Sequence, residues 1–130
     1  MAGYSGTPLV SKLGIKPGTT VAVIGAPAEF RRTLTGLPDD VRLTTRAGGT
    51  ADLVICFVRS RQELETRIGP MRAMMQSGLW LAWPKKASGV RTDLSEDVIR
   101  AAGLAHGLVD YKVCAIDAVW SGLKFARRKR

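Results

Sequence analysis

The chain is poor in the side chains from which most catalytic and metal centres are made. Its 130 residues include one histidine, two cysteines, three tryptophans, two tyrosines and three phenylalanines. The histidine, His106, has no cysteine or carboxylate at ligand spacing, so no metal cluster is expected. Nucleophilic catalysis needs a base held beside a serine or cysteine, and one histidine with two cysteines inside apolar, strand-like runs gives it no footing. Cys56 and Cys114 read instead as small core residues of a reduced compartment, with the cytoplasm as the expected location. No apolar run approaches the roughly 18–20 residues of a membrane helix, so no membrane association is expected. The start, Met1-Ala2-Gly3-Tyr4-Ser5-Gly6, has neither the basic opening nor the apolar stretch of a secretory signal. A nucleotide P-loop pattern is absent too.

Acidic residues are also scarce, eleven against twenty basic ones, for a formal net charge of +9 and a pI near 10.3. Five of those nine charges belong to Lys124, Arg127, Arg128, Lys129 and Arg130, which leaves the preceding 123 residues at +4. Residues 127–130 therefore read as a basic C-terminal tail. Such a tail binds phosphate backbones nonspecifically or is simply solvated, and the residue pattern leaves both readings open.

One domain over residues 1–130 is expected from length alone. Short apolar runs alternate with helical stretches, the pattern of a parallel sheet with crossover helices. Pro8 opens a short helix with Leu9, Val10 and Leu13 on its apolar face and Gly14 as its stop. Strands are predicted at Thr20–Ile24, Val41–Thr45, Ala51–Val58 and Leu79–Trp83, the last ending at Pro84. Gly25-Ala26-Pro27 leads into a helix carrying Phe30 and Leu34. Two helical pieces follow the third strand, divided at Gly69-Pro70 because an internal proline breaks a helix; Met71, Met74 and Met75 sit in the second. Asp93-Leu94-Ser95-Glu96 reads as a capping box with Asp93 as the N-cap, opening a helix that stops at Gly107 with His106 in its last turn. Strands over Tyr111–Asp117 and Leu123–Arg127, linked through residues 118–122, suit an antiparallel closing hairpin. The expected fold is a single open, mostly parallel α/β sheet of about six strands with that hairpin at one edge.

Ile15-Lys16-Pro17-Gly18-Thr19-Thr20-Val21-Ala22-Val23-Ile24-Gly25 resembles the opening strand of class I methyltransferases. Asp52-Leu53-Val54-Ile55 resembles their fourth strand, Ser77-Gly78-Leu79-Trp80-Leu81 their fifth, and the closing pair their sixth and seventh. The resemblance implies a reduced methyltransferase-like Rossmann plan from which the third strand is missing. It does not extend to the cofactor motifs. Where those enzymes carry a glycine-rich turn for S-adenosylmethionine, this chain has Gly25-Ala26-Pro27-Ala28-Glu29. Where they carry a ribose-binding acid, it has Thr44-Thr45-Arg46. An active methyltransferase is therefore not expected, and no cofactor is supported. A second resemblance spans nearly the whole chain. Gly3-Tyr4-Ser5-Gly6-Thr7-Pro8-Leu9, Trp83-Pro84-Lys85-Lys86, Thr92-Asp93-Leu94-Ser95-Glu96-Asp97 and Trp120-Ser121-Gly122-Leu123-Lys124 resemble a small bacterial family known as domain of unknown function 3052, which implies no activity.

Two candidate constellations remain. Ligands of open α/β sheets bind outside the C-terminal ends of the parallel strands, and two loops leave that edge. One holds Gly25 and Ala26, the other Lys85, Lys86, Ser88 and Arg91. If the chain has a small-molecule site, it is expected between them, taking a small anionic or nucleotide-like ligand drawn by helix amides and basic side chains, although Glu29 competes for the anion position and a solvated basic loop is the alternative reading of residues 85–91. The other constellation is Trp120 with Arg127, Arg128, Lys129 and Arg130. It fits an interaction module for nucleic acid or an acidic protein, with packing of Trp120 against the sheet as the alternative.

Overall fold

In the computed structural model, residues 8–129 are described; Met1–Thr7 and Arg130, the last residue of the expected tail, lie outside the described residues. Six strands form one sheet in the order β2-β1-β3-β4-β6-β5. These are β1 (Thr20–Ile24), β2 (Arg42–Thr44), β3 (Ala51–Phe57), β4 (Met75–Pro84), β5 (Leu108–Ala115) and β6 (Trp120–Arg127). The first four run parallel, whereas β6 is antiparallel to both β4 and β5. This is the mostly parallel α/β sheet with an antiparallel closing part that the apolar runs predict. β3 and β4 are buried along nearly their whole length, as central strands covered on both faces must be.

The two faces carry separate cores. On one, the helices α3 (Arg61–Met74) and α4 (Glu96–Ala105) cover Val54, Cys56, Leu79, Leu81, Leu123 and Phe125. On the other, the short α1 (Leu9–Leu13) and α2 (Phe30–Thr33) cover Val21, Val23, Ile55, Phe57, Trp80 and Trp120. α4 lies so close to the sheet that a Cβ on Gly103 would run into the ring of the fully buried Phe125.

Several local expectations are corrected. α3 is one helix and runs through Pro70. Leu64, Ile68, Met71 and Met74 form a continuous buried stripe along it, while Pro70 and Thr66 lie on the exposed side. The carbonyl that Pro70 deprives of a donor is thus on the water side, and burial of the stripe outweighs a proline cost of about 3 kcal/mol. Met75 begins β4 with an extended backbone rather than ending the helix. α2 is a single turn, and Leu34 lies just past it. The N-cap of α4 is Ser95, whose side chain accepts from the Val98 N–H. Asp93 serves the other helix, accepting from the Arg61 N–H at 2.8 Å. α3 has its own cap, unnoticed in the sequence: the N-cap Ser60 accepts from the Glu63 N–H at 3.1 Å, and Glu63 reaches back one residue beyond the N-cap to accept from the Arg59 N–H at 2.6 Å.

The closing hairpin turns earlier than predicted. Asp117 Oδ1 accepts from the N–H groups of Val119 and Trp120, both at 2.8 Å, so Trp120 through Gly122 already belong to β6. At the far end Arg127 is the last residue of β6, paired with Leu108 and donating to the Arg72 carbonyl at 2.6 Å. The Arg128 N–H still bonds the Gly107 carbonyl at 2.9 Å. Only the side chains of Arg128 and Lys129 behave as an exposed tail among the described residues.

Candidate functional site

The chain runs outward from β1 to β2 on one side and to β3 and β4 on the other, so the topological switch point lies between the carboxyl ends of β1 and β3. Gly25 follows β1 directly with φ +71°, and a Cβ there would strike Arg67 Nη1 and stand 3.0 Å from the Phe57 carbonyl. Only glycine fits this position, for conformation and for space.

Two arginines occupy the crevice. Arg59, the second residue beyond β3, donates through Nη2 to the Gly25 carbonyl at 3.0 Å. Its guanidinium lies 5.2 Å from the centre of the Trp120 ring. Arg67, on α3, donates through Nη1 to the Phe57 carbonyl at 2.9 Å and pairs with Glu63 at 3.3 Å. Below them Phe30, Phe57 and Trp120 form an edge-to-face run with ring centres 4.8 and 5.0 Å apart. The two strand ends are thus held by cations of the chain itself.

Beside this plug, toward β2, lies a cavity of about 350 Å³ lined by Gly25, Ala26, Pro27, Arg31 and Thr45 among others. Gly25 and Ala26 are where the sequence places them. The expected partners are not beside them, because the end of β3 with Arg59 separates the two loops and none of Lys85, Lys86, Ser88 or Arg91 lines this cavity. Lys85 is held through its backbone N–H to the Val119 carbonyl at 2.8 Å. Ser88 spends its hydroxyl within its own loop, donating to the Lys85 carbonyl at 2.6 Å and accepting from the Val90 N–H. Lys86 and Arg91 are exposed. Since α2 is one turn long, the expected amide contribution from a helix N-terminus is also missing.

Arg31, Arg59 and Arg67 were missed in the sequence. The available signal was the position of Arg59 immediately after the most apolar strand, where side chains of open sheets meet ligands. Trp120 is buried, between Phe57 and Arg59, which is the packing role and not that of an exposed partner anchor.

Several titratable groups outside the crevice are engaged structurally. Burial pushes the Cys56 thiol up to about 11 against a weaker opposing effect of Arg67, and burial likewise raises Cys114. Both stay protonated near neutrality and are poor nucleophiles. Asp110 pairs with Arg100 at 3.1 Å, and Asp117 caps the hairpin turn. His106 Nδ1 lies 2.9 Å from the Ala102 carbonyl at the exposed end of α4. Among the described residues there is no metal-holding group of His, Cys, Asp and Glu, and no helix is long and apolar enough to cross a membrane.

Comparison of the coordinates with solved structures gives methyltransferases. The ribosomal protein L11 methylase of Lactobacillus delbrueckii subsp. bulgaricus aligns over 93% of this chain and 76% of its own, with TM-score 0.58 and 15% identity. The magnesium protoporphyrin IX methyltransferase of Synechocystis PCC 6803, solved with bound SAM, aligns over 92% and 74% with TM-score 0.59 and 15% identity. The N-methyltransferase NodS of Bradyrhizobium japonicum WM9, in complex with S-adenosyl-L-homocysteine, aligns over 93% and 84% with TM-score 0.58 and 13% identity. No family model and no curated protein matches the chain. At such identities the likeness shows the fold: a methyltransferase-like Rossmann domain. At the carboxyl edge Arg67 fills the space beside Gly25, and the residues that follow β2 are Thr45 and Arg46 rather than a carboxylate.

Proposed function

We propose that this chain is a non-catalytic binding domain of methyltransferase-like fold that holds a small anionic, nucleotide-like ligand at the carboxyl edge of its sheet. The observation that supports this reading is the pair of arginines fastened over the ends of β1 and β3 beside the cavity at Gly25, Ala26, Arg31 and Thr45. Guanidinium groups already anchored on carbonyls lose little freedom on meeting an oxyanion and present fixed N–H donors to it. Lys85, Lys86 and Arg91 add positive potential on the same edge without entering the cavity. The distinctive phrases around Trp83, Thr92 and Trp120 support placing the chain in the small bacterial family of domain of unknown function 3052, in a cytoplasmic setting.

The test is a thermal-shift and calorimetric series with adenine nucleotides, inorganic phosphate, S-adenosylmethionine and S-adenosylhomocysteine at constant ionic strength. Phosphorylated ligands raise the melting temperature with a saturable dose dependence, and the two sulfur compounds do not. Micromolar binding of S-adenosylmethionine, or no response to any phosphate, refutes the reading. A second reading, an interaction module for nucleic acid or an acidic protein, is favoured by the exposed side chains of Arg128 and Lys129 at the end of β6. Its signature is an affinity that falls steeply with salt.

A further inference from the structure

At the opposite edge of the sheet, by the amino ends of the parallel strands, a second cavity of about 230 Å³ is built around Lys124 on β6. Its walls include Lys16, Asp52, Ser77, Gly78 and Tyr111. Three features of the backbone make room for the lysine and aim groups at it. Gly14 adopts φ +79°, and a Cβ there would lie 2.6 Å from Lys124 Nζ. Gly78 sits within β4, where glycine weakens a strand, and a Cβ there would lie 3.0 Å from Lys124 Cε. On β5 the register jumps from Asp110 opposite Phe125 to Lys112 opposite Lys124, so Tyr111 is the extra residue of a bulge. Bulges re-aim side chains, and this one brings the Tyr111 ring to 5.8 Å from Lys124 Nζ, the same distance as the Trp80 ring.

Cations outnumber carboxylates in this corner. Lys124 Nζ donates to the Leu13 carbonyl at 3.2 Å. Lys112 stands directly across the strand pair from it, an arrangement of like charges that destabilises a sheet. Lys16 adds a third cation at the cavity wall. The one carboxylate there, Asp52, is committed to the Thr20 N–H at 2.9 Å. Burial, then Lys112 and Lys16, hold the Lys124 ammonium below the usual lysine range, and burial raises the Tyr111 hydroxyl. Half-burying a cation beside two others costs stability that one carbonyl and two ring faces offset only in part, and two glycines and a bulge make the space for it.

We propose that the Lys124 cavity is a binding site for a small oxyanion, a phosphate or carboxylate carried on a compact ligand, held by Lys124 with Lys16 at the wall, while Lys112 across the strand pair adds positive potential. Its volume lies below the roughly 300–1,000 Å³ of drug-sized pockets, which restricts the ligand to an anionic group with a few further atoms. Ser77 and the Tyr111 hydroxyl are polar groups at the wall, and the Leu53 side chain and the Tyr111 ring face its non-polar part. The site is separate from the arginine crevice and does not depend on it.

The experiment is residue-resolved NMR of the lysine Cε and tyrosine ring signals of the labelled chain, titrated separately with inorganic phosphate and succinate at constant ionic strength. The expected result is a saturable shift at Lys124 and Tyr111, a Lys124 pKa that rises as the anion stabilises the ammonium, and unmoved signals at Lys85 and Lys86. Response to phosphate alone or to succinate alone identifies which oxyanion the site takes. Lys124→Met weakens binding at least about tenfold, the scale of one charge-assisted hydrogen bond, and Lys16→Met weakens it less. Arg59→Ala leaves it unchanged, which separates this site from the crevice. Equal, non-saturating shifts at all lysines overturn the proposal, as do Lys124 and Tyr111 signals left unmoved by both anions. The wild-type titration decides the matter even if a variant fails to fold.

Discussion

Replacing Arg59 by alanine removes three interactions from the carboxyl edge at once. They are the hydrogen bond to the Gly25 carbonyl at 3.0 Å, the stacking 5.2 Å from the Trp120 ring, and an ion pair with Glu63 at 3.9 Å. The side chain is 47% exposed, so each counts at its solvent-screened value. That is about 1 kcal/mol for the hydrogen bond, about 0.5 kcal/mol for the cation–π contact and close to nothing for the ion pair. Contributions of one side chain do not simply add, and a net loss of about 1–1.5 kcal/mol is expected, or about 3–6 °C in Tm for a domain of this size. The assay is urea unfolding followed by fluorescence and circular dichroism, with phosphate titrated into wild type and variant. Arg59→Ala weakens phosphate binding at the crevice, and Arg59→Lys does not restore it, because an ammonium cannot reproduce the planar fork. Arg61→Ala, two residues on and exposed, is the control and changes neither quantity. Unchanged stability together with unchanged phosphate affinity refutes the argument, since the guanidinium would then not be anchored across the crevice. A loss above about 3 kcal/mol refutes it differently, because exposed contacts of this kind do not reach that magnitude.

Gly103→Ala gains about 1 kcal/mol in helix propensity, but its Cβ meets the ring of Phe125, an overpacking cost of about 1–3 kcal/mol; a net loss of up to about 2 kcal/mol in denaturant titration is expected, and a stabilised variant contradicts the packing of α4 on the sheet. Cys56 ionises near 9.0 when exposed and at about 11 in the fold, so between those values the unfolded chain releases a proton that the folded chain keeps. Its contribution is fully present below pH 9.0 and falls by about 2–3 kcal/mol as the pH rises to about 11; Cys56→Val flattens this part of the stability–pH curve, and parallel curves for the two proteins count against it. Truncation after Arg128 leaves Tm nearly unchanged and weakens retention on DNA, whereas truncation after Ala126 removes the Arg128 N–H bond to the Gly107 carbonyl and the Arg127 bond to the Arg72 carbonyl and costs about 1–2 kcal/mol. Equal Tm values for the two truncations show that Arg127 belongs to the tail after all.

How much of this protein is legible in its residues depends on the distance over which each feature is encoded. The strands at Thr20–Ile24 and Ala51–Phe57, the helix stop at Gly14 and the antiparallel closing pair follow from patterns a few residues long, because period and burial leave a local record. The single helix through Pro70 was misjudged, since the local proline rule is overridden by a buried stripe that exists only once α3 meets the sheet. Asp93 was misassigned for a related reason: its partner, the Arg61 N–H, lies 32 residues away.

Sequence alone determined the mostly parallel sheet, the basic balance and the residues of the two turns at Gly25–Glu29 and Thr44–Arg46, all of them properties of contiguous residues. Tertiary structure alone decided which cations share a cavity. Arg59 reaches Gly25 across 34 positions, and Lys124 reaches Leu13 across 111. Those meetings are set by strand order and register, and a single bulge at Tyr111 or a glycine at position 78 decides what space is left between them. A charged side chain has no periodicity that announces its partner. Its neighbours are chosen by how the apolar strands stack, and so the chemistry of both cavities became visible only once the sheet was assembled.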